Sequence, residues 1–257
     1  MKKKALFRTG IYVIVFSLFF SISSVSVLAK TNQQNIAQSY YKILNNIISK
    51  YGISTFDNEE GLVYANMIDF DKNGVSELYI LYLKKDNSRG YDQLKFYQEV
   101  WGFEKSELHK LYFDDQGPDG LISDRSISIT STNKNSYLIF ESSYSTGNGT
   151  PPYDNEWSLH RSIMTVKGGK LIEVAVLGYT EASKVEGEGT KYTYTIKTNG
   201  KVKNISNKEY NNYVTQYNLK NQKYLIDGDA GSPTISFDAS SNVKTINSFL
   251  KRLKNMM

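Results

Sequence analysis

Residues 67–81 read MIDFDKNGVSELYIL, and the interpretation of the whole chain starts from them. Both ends of the stretch are apolar, as in strands, and the middle is an acidic loop with a glycine where the chain must turn. Asp69, Asp71 and Asn73 alternate, and Glu77 stands at the ninth position counted from Asp69. Oxygen-bearing side chains at this spacing let a loop wrap around one hard cation. The stretch therefore predicts two strands joined by a calcium-binding loop.

Residues 65–78, ANMIDFDKNGVSEL, resemble two groups of known sequences. The pattern Asp-x-Asp-x-Asn/Asp-Gly-x-x-Asp/Glu between apolar strands is similar to the calcium loops of FG-GAP (integrin-type) repeats, VCBS repeats and dockerins. It also resembles the ALIDIDGDGIPEL signature of secreted and lipid-anchored Gram-positive proteins of unknown function, which likewise open with a helix. The resemblance implies an extracellular module stabilised by calcium. Because the loop occurs once, it implies neither a propeller nor a cellulosome anchor.

The resemblance also implies which atoms would hold the ion. The carboxylates of Asp69, Asp71 and Glu77, the amide oxygen of Asn73, the backbone carbonyl of Val75 and water would be its ligands. No acid stands at the twelfth position, so we expect weak affinity, with a dissociation constant of about 10⁻⁴ to 10⁻³ M. The alternative is a metal-free turn, because Asp, Asn and Gly favour turns for backbone reasons alone.

The first residues have the three parts of a secretory signal peptide. Residues 2–8 include four basic residues, residues 11–20 form an apolar run, and residues 27–29 offer a small-residue cleavage site. We therefore predict a signal peptide over residues 1–29 and a secreted chain over residues 30–257. An uncleaved membrane anchor is the alternative, because the stretch from Ile11 to Leu28 is nearly long enough to span a bilayer.

The charge balance argues against a nucleic-acid-binding function, and the cysteine content indicates how the fold is stabilised. The net charge is +5, but without the leader's four basic residues the chain carries 27 Lys and Arg against 26 Asp and Glu. A balanced chain lacks the basic face that nucleic-acid binding requires, so we expect no nucleic-acid partner. With no cysteine, stability must come from a core and not from disulfides. We predict one domain over residues 30–257, with a subdomain break near residues 114–120 as an option.

Strand patterns joined by turns dominate the chain. The turn dipeptides at 168–169 and 199–200 are typical of antiparallel hairpins, and no strand–helix–strand alternation predicts a parallel sheet. Apolar stripes at helical spacing mark both ends, and a capping box at 206–209 begins a short third helix. We predict an α+β fold, an antiparallel sheet system with an N-terminal helix and a C-terminal helix. The predicted strands are 62–68, 78–83, 93–101, 109–113, 126–130, 137–141, 158–166, 171–177, 191–197 and 201–205.

The segment from Glu141 to Trp157 is the predicted ligand-binding loop. Tyr144, Tyr153 and Trp157 are interleaved there with glycine and proline. Flat rings on an irregular loop can stack on a sugar or a peptide, so a cell-surface glycan or protein is the expected partner. The alternative is that Trp157 anchors the following strand in the core.

These observations predict a secreted, non-enzymatic, calcium-stabilised module that acts outside a Gram-positive cell, without membrane contact once the leader is removed. Two alternatives remain open. One is a carbohydrate- or protein-binding module that uses residues 141–157, and the other is a secreted hydrolase with an unrecognised site. Acid pairs that are neighbours in a turn are usually solvated, and we assign no catalytic residue.

Overall fold

The computed structural model describes most of the chain after the predicted leader: residues 33–55, 60–86, 93–104, 106–116, 125–146, 155–183, 189–226 and 239–257. The predicted signal peptide lies outside these residues. The described residues divide into two units, one formed by residues 33–46 and 247–257 and the other by the described residues between 47 and 246. Among the helices of the described part, none combines the length and the apolar character needed to cross a membrane.

The first unit consists of helical segments from the two ends of the chain. Helix α1 spans residues 33–51, and helix α3 spans Ala239–Met256. Within this unit the Lys254 ammonium lies 5.3 Å from the centre of the Tyr41 ring. A hydrogen bond from Lys254 is the main reason that the pKa of Tyr41 is lowered. The apolar side of each segment is buried, at Ala37, Tyr40 and Leu44 in α1 and at Phe249 and Leu253 in α3.

The second unit contains two antiparallel sheets. The first sheet has the order β1-β2-β3-β4, a meander in which every strand pairs with its neighbour in sequence. The second strand carries an unbroken apolar run at residues 78–83, and all of these side chains are buried, so both faces of this strand are covered. The strands are β1 (Gly61–Ile68), β2 (Glu77–Asp86), β3 (Gln93–Glu104) and β4 (Glu107–Gln116).

The second sheet has seven strands in the order β10-β9-β8-β7-β6-β5-β11. Six of them again follow the sequence, whereas β11 returns from the far end of the chain to pair with β5. Two of the hairpins turn at the predicted glycine-containing dipeptides 168–169 and 199–200. The strands are β5 (Arg125–Ser131), β6 (Ser136–Thr146), β7 (Asn155–Lys167), β8 (Lys170–Ser183), β9 (Thr190–Thr198), β10 (Lys201–Ile205) and β11 (Lys223–Ile226).

The two sheets share one core. It combines side chains of the four-stranded sheet, such as Tyr79 and Leu81, with side chains of the seven-stranded sheet, such as Leu138 and Val166. The opposite face of the seven-stranded sheet forms a second core with helix α2 (Asn207–Gln216). The longer sheet is therefore covered on both faces over part of its area.

The predicted α+β fold, with antiparallel sheets and a helix at each end of the chain, is confirmed. All ten predicted strands are present, and β11 is an eleventh that was not predicted. The predicted capping box is also present, because Ser206 Oγ accepts the backbone N–H of Glu209 and the Glu209 side chain accepts the backbone N–H of Ser206. The optional subdomain break near residues 114–120 stays a prediction, because residues 117–120 lie outside the described part of the chain.

Candidate metal centre

The acidic loop joins two paired strand ends. Ile68 closes β1 and pairs with Glu77, which opens β2, so residues 69–76 must reverse the chain over a short span. Lys72 and Gly74 make this reversal with positive φ angles of 58° and 88°. Glycine adopts such angles without steric cost, which explains its place in the motif. The β1–β2 pairing therefore fixes where the loop begins and ends.

Side chains of the loop hold its backbone in a curled conformation. The two Asp69 carboxylate oxygens accept the backbone N–H groups of Asn73 and Gly74, each at 3.1 Å. Asn73 Oδ1 accepts the N–H of Val75 at 2.7 Å. Asp71 accepts both the backbone N–H and the side-chain amide of Asn73, at 3.2 and 3.0 Å. These bonds point the polar side chains toward the inside of the curl.

Three carboxylates converge as a result. One oxygen from each of Asp69, Asp71 and Glu77 can be chosen so that all three lie within 4.8 Å of one another. Two oxygens bound to one Ca²⁺ at about 2.4 Å can be at most about 5 Å apart, so this spacing suits a shared ion. The structure thus brings together the three predicted acidic ligands. Asn73 lies in the same curl, and ligand roles for Asn73 Oδ1 and the Val75 carbonyl remain predictions.

Glu77 differs from the other two acids because it is buried, with 5% of its surface exposed. One carboxylate oxygen accepts the backbone N–H of Phe70 at 3.0 Å. The pKa of Glu77 is raised to about 7, mainly by burial and in smaller part by the nearby charges of Asp71 and Asp69. Burying a carboxylate is costly unless a proton or a cation neutralises it. A bound cation would remove this cost at neutral pH.

The loop is also fastened to the second sheet. Ser136, at the start of β6, donates its N–H to the Phe70 carbonyl and its hydroxyl to the Asp69 carbonyl, both at 2.9 Å. Thr165 of β7 donates its hydroxyl toward the carbonyls of Phe70 and Ser136, at 3.2 and 2.9 Å. The Phe70 side chain lies in the shared core. Sequence reasoning missed these residues, and only an apolar residue inside an acidic loop, Phe70, offered a signal.

The predicted ligand-binding segment is more regular than we expected. Strand β6 continues to Thr146 and β7 begins at Asn155, so the irregular loop predicted for residues 141–157 is wrong at both of its ends. Tyr144 and Trp157 lie on these strands, and Tyr153 lies outside the described residues. Tyr144 pairs with Ser158, the neighbour of Trp157, so the two rings are on opposite faces of the sheet. The structure therefore does not bring Tyr144 and Trp157 together.

Trp157 instead joins a cluster of tyrosines. Its ring packs edge-on against Tyr179 of β8, with the ring centres 5.6 Å apart. Tyr179 in turn contacts Tyr192 and Tyr194 of β9, at 6.1 and 5.5 Å between centres. Trp157 is 38% exposed and Tyr192 is 51% exposed. We call these four residues the aromatic surface. Tyr144, 48% exposed, stacks on His160 on the other face.

No protein-family model, no curated protein and no solved structure matches the chain.

Proposed function

We propose that this protein is a non-enzymatic module that binds calcium at the 69–77 loop and is stabilised by it outside the cell. The observation that carries the proposal is the convergence of Asp69, Asp71 and the buried Glu77 within 4.8 Å. Carboxylate oxygens are hard ligands, which Ca²⁺ prefers over nitrogen or sulfur. The motif spacing, the curled backbone and the costly burial of Glu77 all support the binding of Ca²⁺ at this loop.

The position of the loop explains how an ion would stabilise the whole second unit. The ligands lie between β1 and β2 of the first sheet, whereas the backbone carbonyls of Asp69 and Phe70 are held by Ser136 of the second sheet. An ion that orders the loop therefore strengthens a junction between both sheets. Since the ion binds only the folded loop, its binding free energy adds to the stability of the fold.

The charge balance sets the expected affinity. Two positive charges against three carboxylates leave the site with a net charge of minus one, and no bidentate acid stands at position twelve. Such sites bind with dissociation constants of about 10⁻⁴ to 10⁻³ M, as extracellular modules do. The predicted leader supports this setting, because calcium outside cells is millimolar.

Calorimetric titration with calcium tests the proposal. We expect the wild type to bind one calcium ion and Asp71→Asn to bind at least tenfold more weakly. Asp71→Asn is preferred to Asp69→Ala because it keeps an acceptor for the Asn73 N–H, whereas Asp69 holds two backbone N–H groups.

Glu107→Gln is the matched control, because it removes one exposed acid outside the loop. It should bind calcium as the wild type does. Absence of calcium binding to the wild type at millimolar concentrations would refute the proposal.

A second candidate function, binding of a carbohydrate or protein partner, is favoured by the aromatic surface. Exposed Trp157 and Tyr192 lie on one side of the sheet with Tyr179 between them. Aromatic faces of this kind stack on sugar rings and apolar side chains. Pull-down with insoluble polysaccharides should be weakened by Trp157→Ala and unchanged by Tyr224→Ala, an exposed tyrosine on β11. Equal retention of both variants would remove this candidate.

A further inference from the structure

A polar cleft lies beside the acidic loop and is lined by the end of β1, by β5, by Ser136 at the start of β6, and by residues 218, 221 and 223. Its cavity volume is about 480 Å³, within the range of small-molecule sites. Its lining includes Ile68, Thr130 and Ser136, which are buried and mark the deep end. Lys72 and Lys223 also line it and are exposed, which places them at the mouth.

One wall of the cleft is held in place by its own hydrogen bonds. Asn218 has a positive φ of 55°, and its carbonyl accepts the Thr130 hydroxyl at 2.8 Å. Its side-chain amide donates to the Ser131 carbonyl at 2.9 Å, and its side-chain oxygen accepts the Asn221 amide at 2.7 Å. A wall fixed in this way loses little conformational entropy when a ligand binds. Amides and hydroxyls that line a cleft are suited to hydrogen-bond a ligand rich in hydroxyl groups.

The charges at the cleft favour an anion. Within the part of the chain that the structure describes, neither Lys72 nor Lys223 has an acidic side chain within ion-pair distance. The acid that lines the cleft, Asp69, is the first of the proposed calcium ligands. With calcium bound, the loop site would keep a net charge of only minus one, so the two ammonium groups would outweigh the negative charge at the mouth. Ammonium groups bind carboxylates by charge-assisted hydrogen bonds.

We propose that this cleft binds a carboxylate-bearing sugar, a uronic acid unit of an anionic polysaccharide, and that binding requires calcium in the neighbouring loop. Lys72 and Lys223 hold the carboxylate, while Asn221 and the fixed wall face the hydroxyl groups. The proposal rests on the proposed function, because without the ion the loop carries three negative charges beside the same cleft. By thermodynamic linkage, the sugar must raise calcium affinity by the factor by which calcium raises sugar affinity.

Titration of the full chain with methyl glucuronide, in calcium and in chelator, tests this proposal. We expect binding in about 5 mM calcium that weakens at least tenfold in chelator, and methyl glucoside should not bind. Lys72→Met and Lys223→Met should each weaken glucuronide binding roughly tenfold, the effect of losing a charge-assisted hydrogen bond. Lys220→Met is the matched control, since this exposed lysine does not line the cleft.

Separate readouts distinguish the two proposals. Lys223→Met should keep the calcium titration of the wild type, because Lys223 lies outside the 69–77 loop. Lys72→Met removes a positive charge from that loop and should bind calcium at least as tightly as the wild type. If calcium binds and methyl glucuronide does not, the cleft proposal is overturned while the proposed function stands. If calcium itself does not bind, the proposed function fails. Equal competition by acetate would show a simple anion site and would overturn the assignment to a sugar.

Discussion

Glu77→Gln should stabilise the protein in chelator, and calcium should cancel most of this advantage. In chelator at pH 8 the wild type carries an ionised carboxylate that is 5% exposed and lies close to Asp69 and Asp71. Burial and these neighbours raise its pKa from 4.5 to about 7. At about 1.4 kcal/mol for each pKa unit, ionisation in the folded state costs at most about 3.5 kcal/mol. Glutamine keeps an oxygen for the Phe70 N–H and removes the charge, so the variant should be the more stable protein in chelator.

Calcium should remove this advantage. With about 10 mM calcium and a dissociation constant of about 10⁻⁴ M, the wild type gains about 2.7 kcal/mol. The variant loses one of three carboxylate ligands and should gain much less. Since 1 kcal/mol moves the melting temperature by about 2–4 °C in a chain of this size, both differences are measurable by thermal unfolding. The two melting temperatures should therefore approach each other or cross.

Asp71→Asn is the control that separates the effect of burying a carboxylate from the effect of losing a calcium ligand. It also removes a ligand, but its carboxylate is more exposed than that of Glu77, so its loss should bring less stabilisation in chelator. The reasoning is refuted if Glu77→Gln melts below the wild type in chelator, or if it keeps the full calcium response. Either result would mean that the buried charge is not what the ion compensates.

Three further predictions concern the pH dependence of stability, the cap of helix α2 and the ion pair between Arg161 and Glu141. Because the pKa of Glu77 is raised on folding, its contribution to stability in chelator is complete below about pH 4.5 and is lost as the pH rises through about 7. The melting temperature in chelator should therefore fall between pH 5 and pH 8, and calcium should suppress this fall. Ser206→Ala removes the cap of α2 and should cost about 1 kcal/mol in urea unfolding, whereas Ser206→Asp should cost little. Arg161→Met removes the ion-pair partner that lies 2.5 Å from the partly buried Glu141 carboxylate, and it should lower the free energy of unfolding by about 3 kcal/mol or more. Adding Glu141→Leu should restore much of this stability, because no unpaired charge is then left.

The sequence predicted the strands because most of them carry their own signals. Alternation of apolar and polar residues and glycine turns such as 168–169 are local, and they specify hairpins between neighbours. β11 escaped prediction because Lys223–Ile226 is four residues long and becomes a strand only by pairing with β5. Strands β6 and β7 extend beyond their predicted ends because long pairing between them, from Leu138 to Thr146, outweighs weak local preferences.

In the candidate site, too, some features follow from the local sequence and others depend on segments that are distant in sequence. The spacing of Asp69, Asp71 and Glu77 indicated convergence of three acids, because ligand order in a loop is a local property. The burial of Glu77 and the anchors at Ser136 and Thr165 depend on how a second sheet packs, so no pattern within the loop could show them. The predicted irregular loop at residues 141–157 was wrong at its ends for a related reason, since strands β6 and β7 continue there by pairing with each other.

The return of β11 to β5 has a consequence for how the protein folds. Every other strand pair joins neighbours in sequence, and loops between neighbours close at low entropic cost. The β11–β5 pair brings together Lys223 and Ile129, so a long segment must be ordered before its few hydrogen bonds form. Contacts of such high sequence separation slow folding and tend to form after the local ones. The two meanders should therefore assemble first and β11 should close the seven-stranded sheet last, with its backbone amides exchanging fastest with solvent hydrogen.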